Sequence, residues 1–104
     1  MLYVVNAISI QMVPQSATSF DWHGRQISEE QFKQEIIPAI ESGNAVSAVG
    51  HPDTARVLGV PMNRMNVALN EGDTICVCQL TGGRLPEGAT TLPDGFKFTY
   101  WIVG

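Results

Sequence analysis

The chain has 104 residues, with six Lys and Arg against ten Asp and Glu, for a formal net charge of −4. That length holds one domain, spanning residues 1–104. At this size roughly two-thirds of the unfolded surface is buried, which supports a modest core without metal or disulfide staples. The acidic balance excludes a binder of long nucleic acid, which needs a basic face to displace counterions. The hydrophobic fraction of 44% and charged fraction of 15% exclude a disordered chain.

In chain order, Leu2-Tyr3-Val4-Val5 reads as a buried first strand that ends at Asn6. Residues 9–14 mix polar and apolar side chains and read as a loop or short turn. Residues 17–26 read as strand, turn, strand, with His23-Gly24 at the bend. The clearest helix start is Ser28. Its hydroxyl can cap the helix while Gln31 returns the reciprocal bond, and Ile27 and Phe32 are placed as a hydrophobic staple. Glu29 and Glu30 sit where the helix dipole favours negative charge. Phe32, Ile36 and Ile40 then form a stripe suited to packing on a sheet. Pro38 removes one backbone donor and should kink or loosen the helix, and Gly43 is its expected stop.

Residues 45–49 form a second buried strand that runs into Gly50-His51-Pro52-Asp53-Thr54, a turn entering a short helix with Pro52 at its first position. Residues 66–69 and 74–80 read as a hairpin around Asn70-Glu71-Gly72-Asp73. Residues 81–95 are rich in Gly, Pro and Thr and read as a long loop, and residues 96–103 as a closing strand. The sum is a mixed β-sheet of about five strands with helices packed on it, an α/β or α+β domain.

Cys76 and Cys78 share one face of a strand-like run, as buried reduced thiols do. With His23 and His51 they make no metal-ligand spacing, so neither a metal nor another cofactor is expected. Two cysteines without a signal peptide fit a reducing cytoplasm. The apolar runs are too short to span a membrane.

Two stretches can carry chemistry. In Val49-Gly50-His51-Pro52-Asp53-Thr54 a histidine stands where a helix opens, beside backbone N–H groups that suit an anion. It could donate a proton near neutral pH, or serve only as a helix cap. In Gln79-Leu80-Thr81-Gly82-Gly83-Arg84-Leu85-Pro86-Glu87-Gly88 a strand delivers an arginine onto a glycine-flanked loop. Its planar fork of donors suits phosphate, and the alternative is an exposed Arg84–Glu87 pair of little energetic value. Arg64, Asn6 and Ser9 are further possible contacts or ordinary surface and turn residues.

Taken together, Asn6-Ala7-Ile8-Ser9, Gly50-His51 with Thr54, Asn63-Arg64 with Val67, and Gln79-Leu80-Thr81 with Arg84-Leu85 and Glu87-Gly88 resemble the viral anti-CRISPR ring nucleases. That family was first known as a domain of archaeal viruses, with relatives in phages, integrative elements and some type III CRISPR loci. The resemblance covers nearly the whole chain, with the loop motifs in family order.

The resemblance implies a homodimer that binds cyclic tetra-adenylate across its two-fold axis and cleaves it without metal, silencing type III CRISPR signalling. It makes His51, Arg84 and Glu87 the catalytic residues, and Asn6, Ser9, Thr54 and Arg64 the ligand contacts. On that reading His51 protonates the leaving oxygen, Arg84 stabilises charge on the phosphorane, and Glu87 orients His51. Asp53 departs from what an anion site wants, because it places a negative charge beside His51. The alternatives are a sponge or sensor that binds the ring without cutting it, and an interaction protein that has kept only the fold.

Overall fold

The computed structural model describes residues 1–14 and 16–104. Its framework is a five-stranded mixed sheet built from β1 (Leu2–Val5), β2 (Gly24–Ile27), β3 (Ala45–Ser47), β4 (Thr74–Thr81) and β5 (Lys97–Val103), in the spatial order β2-β5-β4-β1-β3. β1 runs parallel to both β3 and β4, while β5 is antiparallel to β4 and to β2. The fold is α+β, in one domain.

Alternation along the central strands divides the core in two. On one face Val4, Cys76, Cys78 and Tyr100 pack with Phe32, Ile36, Ala55 and Leu58 of the helices. On the other, Val5, Ile75, Val77 and Val103 are covered by Met12 of a 3-10 turn and by Val67 and Leu69, which lie outside the strands and helices. β4 is therefore buried on both sides over Ile75–Cys78, which explains its nearly continuous apolar sequence.

The main helical rod consists of α1 (Glu29–Gln31), a π-helical turn (Phe32–Ile36) and α2 (Ile37–Glu41). Ser28 caps it as expected, its Oγ accepting from Gln31 N at 3.0 Å. The reciprocal half of the capping box is absent, because Gln31 Nε2 donates instead to Glu35 Oε2. The loosening expected from Pro38 takes the form of the π turn that precedes it. Ile27 and Phe32 are both buried in the same cluster, and Phe32 stacks on Tyr100 with ring centroids 4.6 Å apart. The free cysteines Cys76 and Cys78 are both buried.

Two expected elements are corrected. Residues 17–23 form no strand, and His23-Gly24 is not a bend. His23 exchanges backbone hydrogen bonds with Gly104 and leads directly into β2, at the sheet's edge beside β5. Residues 66–69 do not pair with β4 either. β4's neighbours are β1 and β5, and Leu69 N donates to Met12 O. The alternation of buried Val67 and Leu69 with exposed Asn66 and Ala68 arises because this segment lies over the sheet with one side inward. A period of two marks one-sided burial as readily as a ladder. The short turn expected within residues 9–14 is a 3-10 turn, Ile10–Met12.

Asp73 closes the turn that feeds β4, accepting from Asn70 N and from the Met1 ammonium at 2.9 Å each. The Asn70 N–H, followed by the terminal ammonium, holds its carboxyl below the ordinary carboxylate range. A depressed folded-state pKa contributes stability above the unfolded value that is lost as pH falls through the folded one. Asp73→Asn should therefore flatten the acid limb of a plot of Tm against pH, at and below about pH 4. Parallel acid limbs for the two proteins would refute the assignment.

Candidate functional site

β1, β3 and β4 are parallel, so their C-terminal ends meet at one edge of the sheet, the usual position of ligands in α/β sheets. Asn6 follows β1, Gly50-His51 follows β3, and the loop carrying Arg84 and Glu87 follows β4. A cavity of about 550 Å³ opens there, and its lining includes Asn6, His51, Thr54, Arg84 and Glu87. Five of the seven residues expected at the site thus come together from three distant parts of the chain.

His51 is the N-cap of α3 (Pro52–Leu58). Its Nδ1 accepts from Thr54 N and lies 3.3 Å from Thr54 Oγ1. This leaves Nε2 as the ring nitrogen available to the cavity. A hydroxyl both donates and accepts. Thr54 Oγ1 can therefore donate to Nδ1 of a neutral imidazole or accept from Nδ1–H of a cationic one, whereas the bond from Thr54 N to Nδ1 belongs to the neutral ring alone. Thr54 is buried, so it reads as the support of His51 more than as a surface contact. Glu87 lines the cavity from the loop but makes no ion pair with His51 among the described residues. The partner that orients the ring is Thr54.

Cys78 also lines the cavity. Its hydrogen bond to Cys76, together with burial, pushes its thiol pKa far up, so it is a neutral wall and not a nucleophile. Among the described residues no group of three or more His, Cys, Asp or Glu is placed to hold a metal ion. No helix among them is long and apolar enough to cross a membrane.

The model of one protein family, described as STIV B116-like, matches residues 2–97. The chain belongs to the STIV B116-like family. Among solved structures, B116 of Sulfolobus turreted icosahedral virus superposes with a TM-score of 0.78 at 26% sequence identity, covering 98% of this chain and 97% of that one. No curated protein matches the sequence.

In this STIV B116-like chain two of the expected residues stand outside the main cavity. Ser9 caps the 3-10 turn, its Oγ accepting from Gln11 N at 3.3 Å, and lines a second hollow of about 530 Å³ that shares Asn6 with the first. Arg64 donates from Nε to Gly50 O at 3.1 Å, and its stem covers Gly50 so closely that a Cβ there would lie 3.3 Å from Arg64 Cγ. Arg64 therefore braces the turn that presents His51 and borders a shallow neighbouring groove.

The negative charge of Asp53 is answered locally. Its Oδ1 accepts from Arg56 NH1 at 2.8 Å, and the Arg56 guanidinium, ahead of the Gly88 N–H, holds the carboxyl below its ordinary range. Arg56 was not among the expected site residues. Its spacing from Asp53 on the helix is a legible pairing signal, but its contact with the distant loop is not.

Proposed function

We propose that the protein is a metal-independent ring nuclease, a cytoplasmic phosphodiesterase that cleaves cyclic tetra-adenylate and so antagonises type III CRISPR signalling. The observation that carries this reading is the single cavity in which His51, Arg84, Glu87, Asn6 and Thr54 converge at the ends of three parallel strands. Their chemistry suits a phosphodiester better than a bare structural role.

The ribose 2′-hydroxyl attacks the adjacent phosphorus, so the protein supplies no nucleophile. The 2′-oxygen–phosphorus bond forms as the bond to the 5′-oxygen breaks. A cationic His51 delivers a proton from Nε2 to the departing 5′-oxygen and becomes neutral imidazole, its Nδ1–H directed to Thr54 Oγ1. Arg84 offers paired donors to the charge that accumulates on the phosphorane. Two carboxylates line the cavity; Asp53 is engaged by Arg56 and the Gly88 N–H, which leaves Glu87 to take the 2′-hydroxyl proton. The product ends in a 2′,3′-cyclic phosphate. Cavities of 300–1,000 Å³ enclose ligands of roughly drug size. A four-nucleotide ring is larger, so the proposal includes a homodimer in which two such cavities face one two-fold ligand. Duplicated Arg84 and Arg64 would then concentrate positive charge locally in an acidic protein.

Incubation of the wild-type protein with labelled cyclic tetra-adenylate in EDTA tests this. Linear products ending in a cyclic phosphate are expected. Unchanged ring retained by the protein on a filter would replace the enzyme with a sponge or sensor, and no retention would leave an interaction protein.

A further inference from the structure

The loop between β4 and β5 is held at two places. At its base, Thr81 Oγ1 donates to Lys97 O at 3.1 Å, and Gly82 lies against the backbone of Gly95 and Phe96. Farther along, α3 grips two consecutive residues, Gly88 and Ala89. Asp53 Oδ2 accepts from Gly88 N at 3.3 Å, and Arg56 NH1 donates to Ala89 O at 3.0 Å. The same Arg56 nitrogen binds Asp53 Oδ1, so carboxylate, guanidinium and loop backbone form one closed set of hydrogen bonds. Arg84 and Glu87 lie between the two anchorages, and the gripping helix also carries His51 at its N-cap.

We propose that Asp53 and Arg56 are positioning residues: they lock the loop to the helix that carries His51 and thereby hold Arg84 and Glu87 opposite the imidazole. This rests on the ring-nuclease reading for its catalytic consequence, but the locking itself does not. The Arg56 side chain is 46% exposed, and pairs of that kind add little to global stability. Their effect is concentrated on the local opening of the loop, whose few other attachments make it sensitive. Displacement of a catalytic group by about 1 Å can cost about 10²-fold in rate.

The test uses the intact protein as wild type, Asp53→Ala, Arg56→Ala and Asp53→Asn, the last keeping an acceptor for Gly88 N–H. Amide hydrogen exchange is followed in the segment 84–90 and, as reference, in β4. Both alanine variants should exchange about tenfold faster in the loop with β4 unchanged, and Asp53→Asn should lie nearer the wild type. On cyclic tetra-adenylate the alanine variants should lose about 10²-fold in kcat with a much smaller change in KM. Unchanged loop exchange would overturn the proposal. So would an equal rise in β4, which would mean general destabilisation, or faster loop exchange with unaltered kcat. If the wild type does not cut the ring, only the proposed function fails, and the exchange comparison still decides whether the pair locks the loop.

Discussion

Under the proposed ring-nuclease function, His51→Ala is expected to abolish cleavage, lowering the rate by about 10²–10⁴-fold while ligand retention on a filter changes only a few-fold. The reaction needs a proton at the leaving oxygen, and the imidazole is the group in the cavity suited to giving one near neutral pH. Ring binding would rest on Arg84 and Asn6, and on their copies in the proposed homodimer, which the substitution leaves in place. Alanine also removes the N-cap of α3, which costs about 1 kcal/mol. A second variant separates the two effects. Asparagine is among the best N-caps, so His51→Asn should melt close to the wild type and still be inactive. Wild-type turnover by either variant would remove His51 from the chemistry.

Gly82→Ala is expected to damage the fold and the site together. Gly82 has φ +112°, and an added Cβ would stand 2.8 Å from Gly95 O and 2.9 Å from Phe96 Cα. Both are backbone atoms that cannot rotate away, so the two arms of the loop must separate, and the Thr81–Lys97 hydrogen bond at the base lies in their path. Overpacking and the left-handed backbone together should cost about 2–4 kcal/mol, a large part of a total near 5–15 kcal/mol. In a domain this small the melting temperature should fall by on the order of 10 °C or more. Gly43 provides the contrast. Its φ is +83°, but nothing lies within 4 Å of the added Cβ, so Gly43→Ala should cost only the left-handed backbone penalty of about 1–2 kcal/mol. Equal melting temperatures for the two variants would mean that the loop base yields freely.

The local elements were legible where a residue acts on its own neighbours. Ser28 caps the rod whatever lies beyond it, Pro52 opens α3 after His51, and the apolar run of β4 announces burial on both faces. Legibility ended where the partner was distant. Val67 and Leu69 alternate like a strand because the sheet lies beneath them, and no local signal separates that from a ladder. His23-Gly24 looks like a bend because the glycine's role, beside Val103 and Trp101 in the edge pairing, depends on the far end of the chain.

The same division runs through the candidate site. The sequence alone determined the chemical types: a histidine at a helix mouth, an arginine on a glycine-flanked loop, two thiols on one strand face, and the loop motifs of a viral family. Only the tertiary structure decided which of them meet. Parallel pairing of β3 and β4 with β1 carries Asn6, His51 and Arg84 to one edge, because parallel strands must end on the same side. It also decided that Thr54, and not Glu87, holds the imidazole, that Arg64 turns back onto Gly50, and that the charge of Asp53 is taken up by Arg56 and Gly88. Side-chain identity is a property of single positions, whereas each of these outcomes depends on distances fixed by strand order and loop closure.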